Sequence, residues 1–117
     1  MIEHYAFGEI VVQGTRYTKD LIILCQGKDC RTYPNWWRKE GHFLQPEDLE
    51  LVWEAKPECL VVGTGASGVM KVDQRVIEKA KNLGIKLEVA RTAEAVKIFN
   101  KLLNSVGALA GAFHLTC

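Results

Sequence analysis

The stretch Cys59-Leu60-Val61-Val62-Gly63-Thr64-Gly65-Ala66-Ser67-Gly68 decides how the chain reads. Its first four residues are continuously apolar, the pattern of a strand covered on both faces. Its last six form a glycine-rich loop, where the chain leaves the sheet through backbone conformations that glycine adopts without strain. Before it the chain reads as β-rich; after it, helix and strand alternate.

Working back from this strand, the runs Ile2 to Phe7, Ile10 to Gln13, Arg16-Tyr17, Asp20 to Cys25 and Asp29 to Tyr33 are separated by turn signals at Gly14-Thr15 and Gln26-Gly27-Lys28. Runs this short predict strands, and together they predict an antiparallel meander. Leu21-Ile22-Ile23-Leu24 again reads as covered on both faces. Pro34 and the adjacent indoles of Trp36 and Trp37 break the pattern, because two neighbouring bulky side chains cannot share one face of a strand. At least one indole is therefore expected at the surface. Pro46 then opens a helix with Glu47 and Asp48 in its first turn, Leu49, Val52 and Trp53 as its apolar stripe, and Pro57 as its limit.

Working forward, Asp73 is placed to cap a helix over Gln74 to Leu83, with Val76, Ile77 and Ala80 facing inward and Gly84 as the stop. Ile85 to Ala90 alternates as a strand. Thr92-Ala93-Glu94-Ala95 opens a second helix with a variant capping box and a stripe of Val96, Phe99, Leu102 and Leu103, and Ala108 to Thr116 forms a final strand of small apolar residues. The expected fold is a single α+β domain over residues 1–117 in three layers, β/β/α. It has an N-terminal antiparallel meander and a mixed sheet with helices on one face, and right-handed crossovers join its parallel strands.

Composition narrows the functional classes. Fifteen basic and fourteen acidic residues leave a net charge of +1, so no whole-chain field draws the protein to nucleic acid or anionic lipid. Apolar residues at 48% and charged residues at 25% are ordinary for a globular domain. With no secretory-type N-terminus and no apolar run of spanning length, the expected location is cytoplasmic. Cys25, Cys30, Cys59 and Cys117 are accordingly expected as reduced thiols, the first and third packed in apolar runs.

Three features invite a chemical reading. Gly63, Gly65 and Gly68 match G-x-G-x-x-G, and Glu88 stands about 20 residues on, as in a dinucleotide fingerprint. However, Val69-Met70-Lys71-Val72 separates the glycines from the helix cap at Asp73, and no Gly-Lys-Ser/Thr closes a P-loop. A turn is the better reading, and no cofactor is expected. If the loop holds a ligand, it is a small anion or nucleotide-type molecule, contacted by Gly63, Thr64, Gly65, Ser67 and Gly68 with charge from Lys71 or Arg91. Cys25-x4-Cys30 and His114-x-x-Cys117 do not match zinc spacings, so no metal is assigned, and no catalytic residue is nominated. Trp36, Trp37 and Arg38 combine aromatic and basic groups, which suits a protein partner better than nucleic acid.

The chain also resembles a small domain shared by the adipogenesis-associated domain protein of animals and a mitochondrial assembly factor of respiratory complex I, with archaeal and bacterial single-domain members. The residues that carry the resemblance are Phe7-Gly8-Glu9-Ile10, Trp36-Trp37-Arg38, Val61 to Gly65, Leu83-Gly84-Ile85, Thr92 to Val96 and Phe113 to Cys117. It implies a three-layer β/β/α domain of the single-domain type and transfers no catalytic residue or cofactor. The resulting expectation is a non-enzymatic binding or assembly module with a protein partner or a second copy of itself. A ligand-binding or enzymatic use of the glycine loop is the alternative.

Overall fold

The computed structural model describes residues 1–117. Strands β1 (Ile2–Ala6), β2 (Glu9–Val12) and β3 (Thr15–Tyr17) form an antiparallel meander. The hairpin β4 (Leu21–Gln26) and β5 (Asp29–Pro34) begins the main sheet, and a short parallel pair joins β6 (Phe43–Leu44) to β8 (Lys71–Val72). A 3-10 turn over Pro46–Leu49 leads into α1 (Glu50–Ala55), which Lys56 ends in a left-handed conformation. The remaining elements are β7 (Cys59–Thr64), α2 (Gln74–Asn82), β9 (Lys86–Ala90), α3 (Thr92–Leu102) and β10 (Ala108–His114).

The main sheet has the order β5-β4-β10-β7-β9. β10, β7 and β9 are parallel, and the hairpin is added antiparallel to β10. All six residues of β7 are buried, as its apolar run requires. The expected strands, mixed sheet and helices are present in three layers, but the meander stops at β3: the runs expected to continue it, β4 and β5, pair into the main sheet beside β10.

The helices divide between the two faces instead of sharing one. From β7 the chain moves outward through α2 to β9, then back past β7 through α3 to β10. Two right-handed crossovers that travel in opposite directions must place their helices on opposite faces. Accordingly, Ala95, Val96 and Phe99 of α3 pack with Ile2, Ile10 and Val12 of the meander on one face. Val52 and Trp53 of α1 and Val76 and Ala80 of α2 pack over Leu60, Val62, Ala110 and Ala112 on the other.

Alternation along β10 serves both cores, with Leu109 and Phe113 facing α3 and Ala110 and Ala112 facing α1 and α2. The small residues of this strand let the layers approach. At Gly111 an added Cβ would lie 2.9 Å from Phe99, whose ring meets Phe113 edge-on at 5.6 Å.

Cys25 and Cys30 are joined by a disulfide, contrary to the expectation of reduced thiols. They are directly opposed residues of β4 and β5, and the tight turn between these strands brings them together. Cys59 and Cys117 are free.

Candidate functional site

The glycine loop is folded around the segment that follows β10. Gly65 has φ +105°, and any Cβ there would run into the Thr116 carbonyl and the Cys117 backbone. The Ala66 N–H donates to the Thr116 carbonyl at 3.1 Å and the Val69 N–H to the Cys117 carbonyl at 3.0 Å. Gly65 N–H donates to Thr92 Oγ1, Gly68 N–H to the Gly65 carbonyl and Met70 N–H to the Thr64 carbonyl. The Gly65, Ala66 and Gly68 N–H groups that would cradle an anion thus have partners within the chain.

The other residues of the ligand expectation are scattered around this loop. Gly63 is buried inside β7, and the Thr64 hydroxyl donates to the Ala90 carbonyl at 3.1 Å. Ser67 is exposed, Lys71 points from β8 into solvent, and the Arg91 stem lies over Gly68. The Asp73 cap is present as expected, accepting from Arg75 N–H, but β8 stands between it and the glycines. None of the molecule's four clefts is lined by a residue of Gly63 to Gly68.

Thr92 was expected to cap α3 and instead occupies its first helical position, fully buried. Its hydroxyl accepts from Gly65 and donates to the His114 carbonyl at 2.6 Å, which ties the loop after β7 to the end of β10.

At that same end, three charged or polar side chains from distant positions converge. Asp20 Oδ2 lies 2.7 Å from His114 Nδ1 and 2.9 Å from Arg38 Nη1, and Asp20 Oδ1 accepts from the Leu115 N–H at 2.7 Å. Arg38 also donates from Nε and Nη2 to the Gly41 carbonyl, at 3.3 and 2.8 Å, and its guanidinium lies 4.6 Å over the Trp36 ring. With the carboxylate as acceptor, the imidazole carries its proton on Nδ1. The 3.1 Å approach of Arg38 Nη2 to Nδ1 is then a packing contact between two donors. His114 Nε2 is buried without a partner, and the His42 ring stands edge-on to the imidazole at 5.8 Å.

Burial alone would push the Asp20 carboxyl up. The hydrogen bonds from His114 and Leu115 and the charges of His114 and Arg38 outweigh it and hold the carboxyl below the usual carboxylate value. The cluster therefore keeps an anion in a partly buried place at the carboxyl ends of β10 and β7, where open α/β sheets commonly present their sites.

Sequence reasoning missed Asp20 and considered His114 for a zinc spacing that it does not match. Its signal was there: a histidine within an apolar run ending a central strand, and an aspartate directly before another apolar run. Nothing local joins the two, which are 94 positions apart. Arg38, expected at a partner surface, is buried by this ion pair, whereas Trp37 is 77% exposed. Trp36 is half-buried and donates from its indole N–H to the Asp48 carbonyl at 2.8 Å. No group of three or more His, Cys, Asp or Glu residues is arranged to hold a metal ion.

This architecture coincides with a family model described as a protein of unknown function, DUF498/DUF598, which matches residues 2–114. The chain belongs to that family. Among solved structures, the chain is similar to a conserved hypothetical protein, PH1505, from Pyrococcus horikoshii OT3, with 22% identity and TM-score 0.80 over 100% of this chain and 99% of that one. A protein called MT938 matches at 27% identity and TM-score 0.79, over 100% and 98% of the two chains. A protein from Bartonella henselae described as an outer membrane protein matches at 21% identity and TM-score 0.74, over 99% and 94%. These likenesses agree on the DUF498/DUF598 fold and supply no activity. No helix of this chain is long and apolar enough to cross a membrane.

Proposed function

We propose that this DUF498/DUF598 domain is a non-enzymatic binding module that docks a protein partner at the end of the molecule where β10 emerges. The observation that carries the reading is Trp37, an indole 77% exposed on a loop that is fixed from beneath. Arg38 anchors the loop to Asp20, and Trp36 anchors it to the 3-10 turn, so the exposed ring is held in place before any partner arrives. A preorganised aromatic of this kind loses little freedom on binding and is the type of residue that dominates interface energetics.

Phe7 and Val69, 66% and 43% exposed, stand around the same segment. Gly8 N–H donates to the Leu115 carbonyl, Val69 N–H donates to that of Cys117, and Trp37 shares a cleft of about 400 Å³ with Thr116. Exposed apolar groups gathered in one place mark interaction sites more often than single ones do. The partner is a second protein, with a second copy of this chain as the simplest case, in a cytoplasmic setting.

The test compares wild type with Trp37→Ala by sedimentation and by photo-crosslinking from a probe at Phe7. Loss of a wild-type complex in the variant, at unchanged melting temperature, supports the reading. A complex that survives both Trp37→Ala and Phe7→Ala overturns it. A ligand-binding reading draws on the buried, unpartnered Nε2 of His114, and a ligand whose affinity falls in His114→Gln but not in Trp37→Ala would favour it.

A further inference from the structure

We infer that the Cys25–Cys30 disulfide is a thiol–disulfide exchange site, opened by attack of an external dithiol on Cys30. Its place in the sheet supports an exchange function better than a structural one. The two cysteines are five positions apart, and the entropy a crosslink removes from the unfolded chain grows with loop length, so this one is near the low end. The register of β4 and β5 is also secured without it. β4 is paired along its whole length with β10, and the turn is pinned by the Gly27 N–H donating to the Gly107 carbonyl at 2.7 Å. A cross-link that the fold does not need is free to open and close.

The sheet order also selects which sulfur is attacked. Exchange requires the incoming thiolate, the attacked sulfur and the leaving sulfur to lie nearly in line. β5 is the edge strand, so the line from Cys25 through Cys30 runs out of the open side of the sheet. The reverse line, through Cys25, runs into β10, where the facing Leu109 is fully buried. Cys30 is half-buried and Cys25 buried, in agreement with that direction. Cys59 shares the same row of the sheet, but β10 and Leu109 separate it from Cys25, so it is not a resolving thiol. Burial also pushes the Cys59 thiol up, which keeps it inert.

The step balances with a dithiol as reductant. One thiolate of the dithiol bonds to Cys30 Sγ as the Cys25–Cys30 bond breaks, and the electron pair leaves on Cys25 Sγ, which takes up a proton. The second thiolate of the dithiol then attacks its own sulfur in the mixed disulfide and releases Cys30 as a thiol. Two electrons pass to the protein, and the dithiol leaves as a disulfide.

The test is mass spectrometry with N-ethylmaleimide. Air-equilibrated protein labelled after denaturation should carry two labels, on Cys59 and Cys117, and four after native incubation with dithiothreitol. The reduced protein should keep its circular dichroism and cooperative melting. With limiting reagent on the folded, reduced protein, Cys30 should label about tenfold faster than Cys25. Glutathione disulfide should likewise form a mixed disulfide about tenfold faster on Cys25→Ser than on Cys30→Ser, with sites assigned by peptide mapping. Four labels without reductant, reduction only where denaturant unfolds the protein, or equal rates at the two sulfurs would each overturn the inference. The limiting-reagent arm needs no variant and holds even if a serine substitution fails to fold.

Discussion

Thr92 takes the Gly65 N–H on its hydroxyl oxygen at 2.8 Å, across 27 positions of sequence. The same hydroxyl donates to the His114 carbonyl, so one buried side chain fastens both parallel strand ends. Thr92→Val keeps the shape and removes both bonds, leaving a buried donor and acceptor unpaired. It should cost about 2 kcal/mol by urea unfolding, whereas Thr92→Ser should recover most of that loss. Equal stability in the two variants would show that the hydroxyl contributes nothing.

Arg38 should matter for stability more than its place beside Trp37 suggests. Arg38→Met takes the permanent cation away from the partly buried Asp20 carboxylate, which keeps only its His114 and Leu115 hydrogen bonds, and should cost about 2 kcal/mol. Trp37→Ala, at an exposed position one residue away, should shift stability by less than about 0.5 kcal/mol. Denaturant midpoints of the two variants, measured side by side, check this contrast.

The Asp20 carboxyl makes a signed pH prediction. Its value in the folded protein is depressed, so its stabilising contribution is complete above its unfolded value, about 3.9, and fades as pH falls through the lower folded value. Asp20→Asn should therefore be less stable than wild type near pH 6, and the gap should narrow toward about pH 2. Chemical unfolding across that range checks it, with a constant gap as the contrary result.

Gly111→Ala is expected to be among the more damaging single-methyl changes in the chain. The new Cβ would press on the rings of Phe113 and Phe99, both fully buried in the core between β10 and α3. Overpacking of this kind should cost about 2 kcal/mol, and Phe99→Leu in the same chain should relieve part of it. Thermal melts of the two single variants and the double variant check the coupling.

Much of the fold was legible because its signals are local. The turns at Gly14 and Gly27, the Asp73 cap and the apolar run of β7 each carry their own instruction, and the strands and helices fall where these place them. The split of helices between two faces was not, because it depends on the order in which β9 and β10 join the sheet. The 3-10 turn over Pro46–Leu49 also went unread, since its proline and acidic residues suit either kind of helix start. Around the candidate site, the exposure of one indole was readable from the doubled Trp36-Trp37. The Asp20–His114–Arg38 cluster was not, because its members are brought together only by β4 pairing with β10 and by the loop folding back over them. The disulfide escaped for a related reason: the compartment argument treated cysteines singly, while the hairpin register set two of them face to face.

The position of β10 bears on how the chain is made. It lies between β4 and β7, yet it follows every other strand in the sequence. Until residues 108–114 have left the ribosome, the hairpin and the β7–β9 pair have no ladder between them, and each exposes an unpaired apolar edge. The two halves of the sheet must then wait side by side for a wedge that arrives late. A nascent chain stalled before Ala108 is consequently the form of this protein most in need of a chaperone's cover.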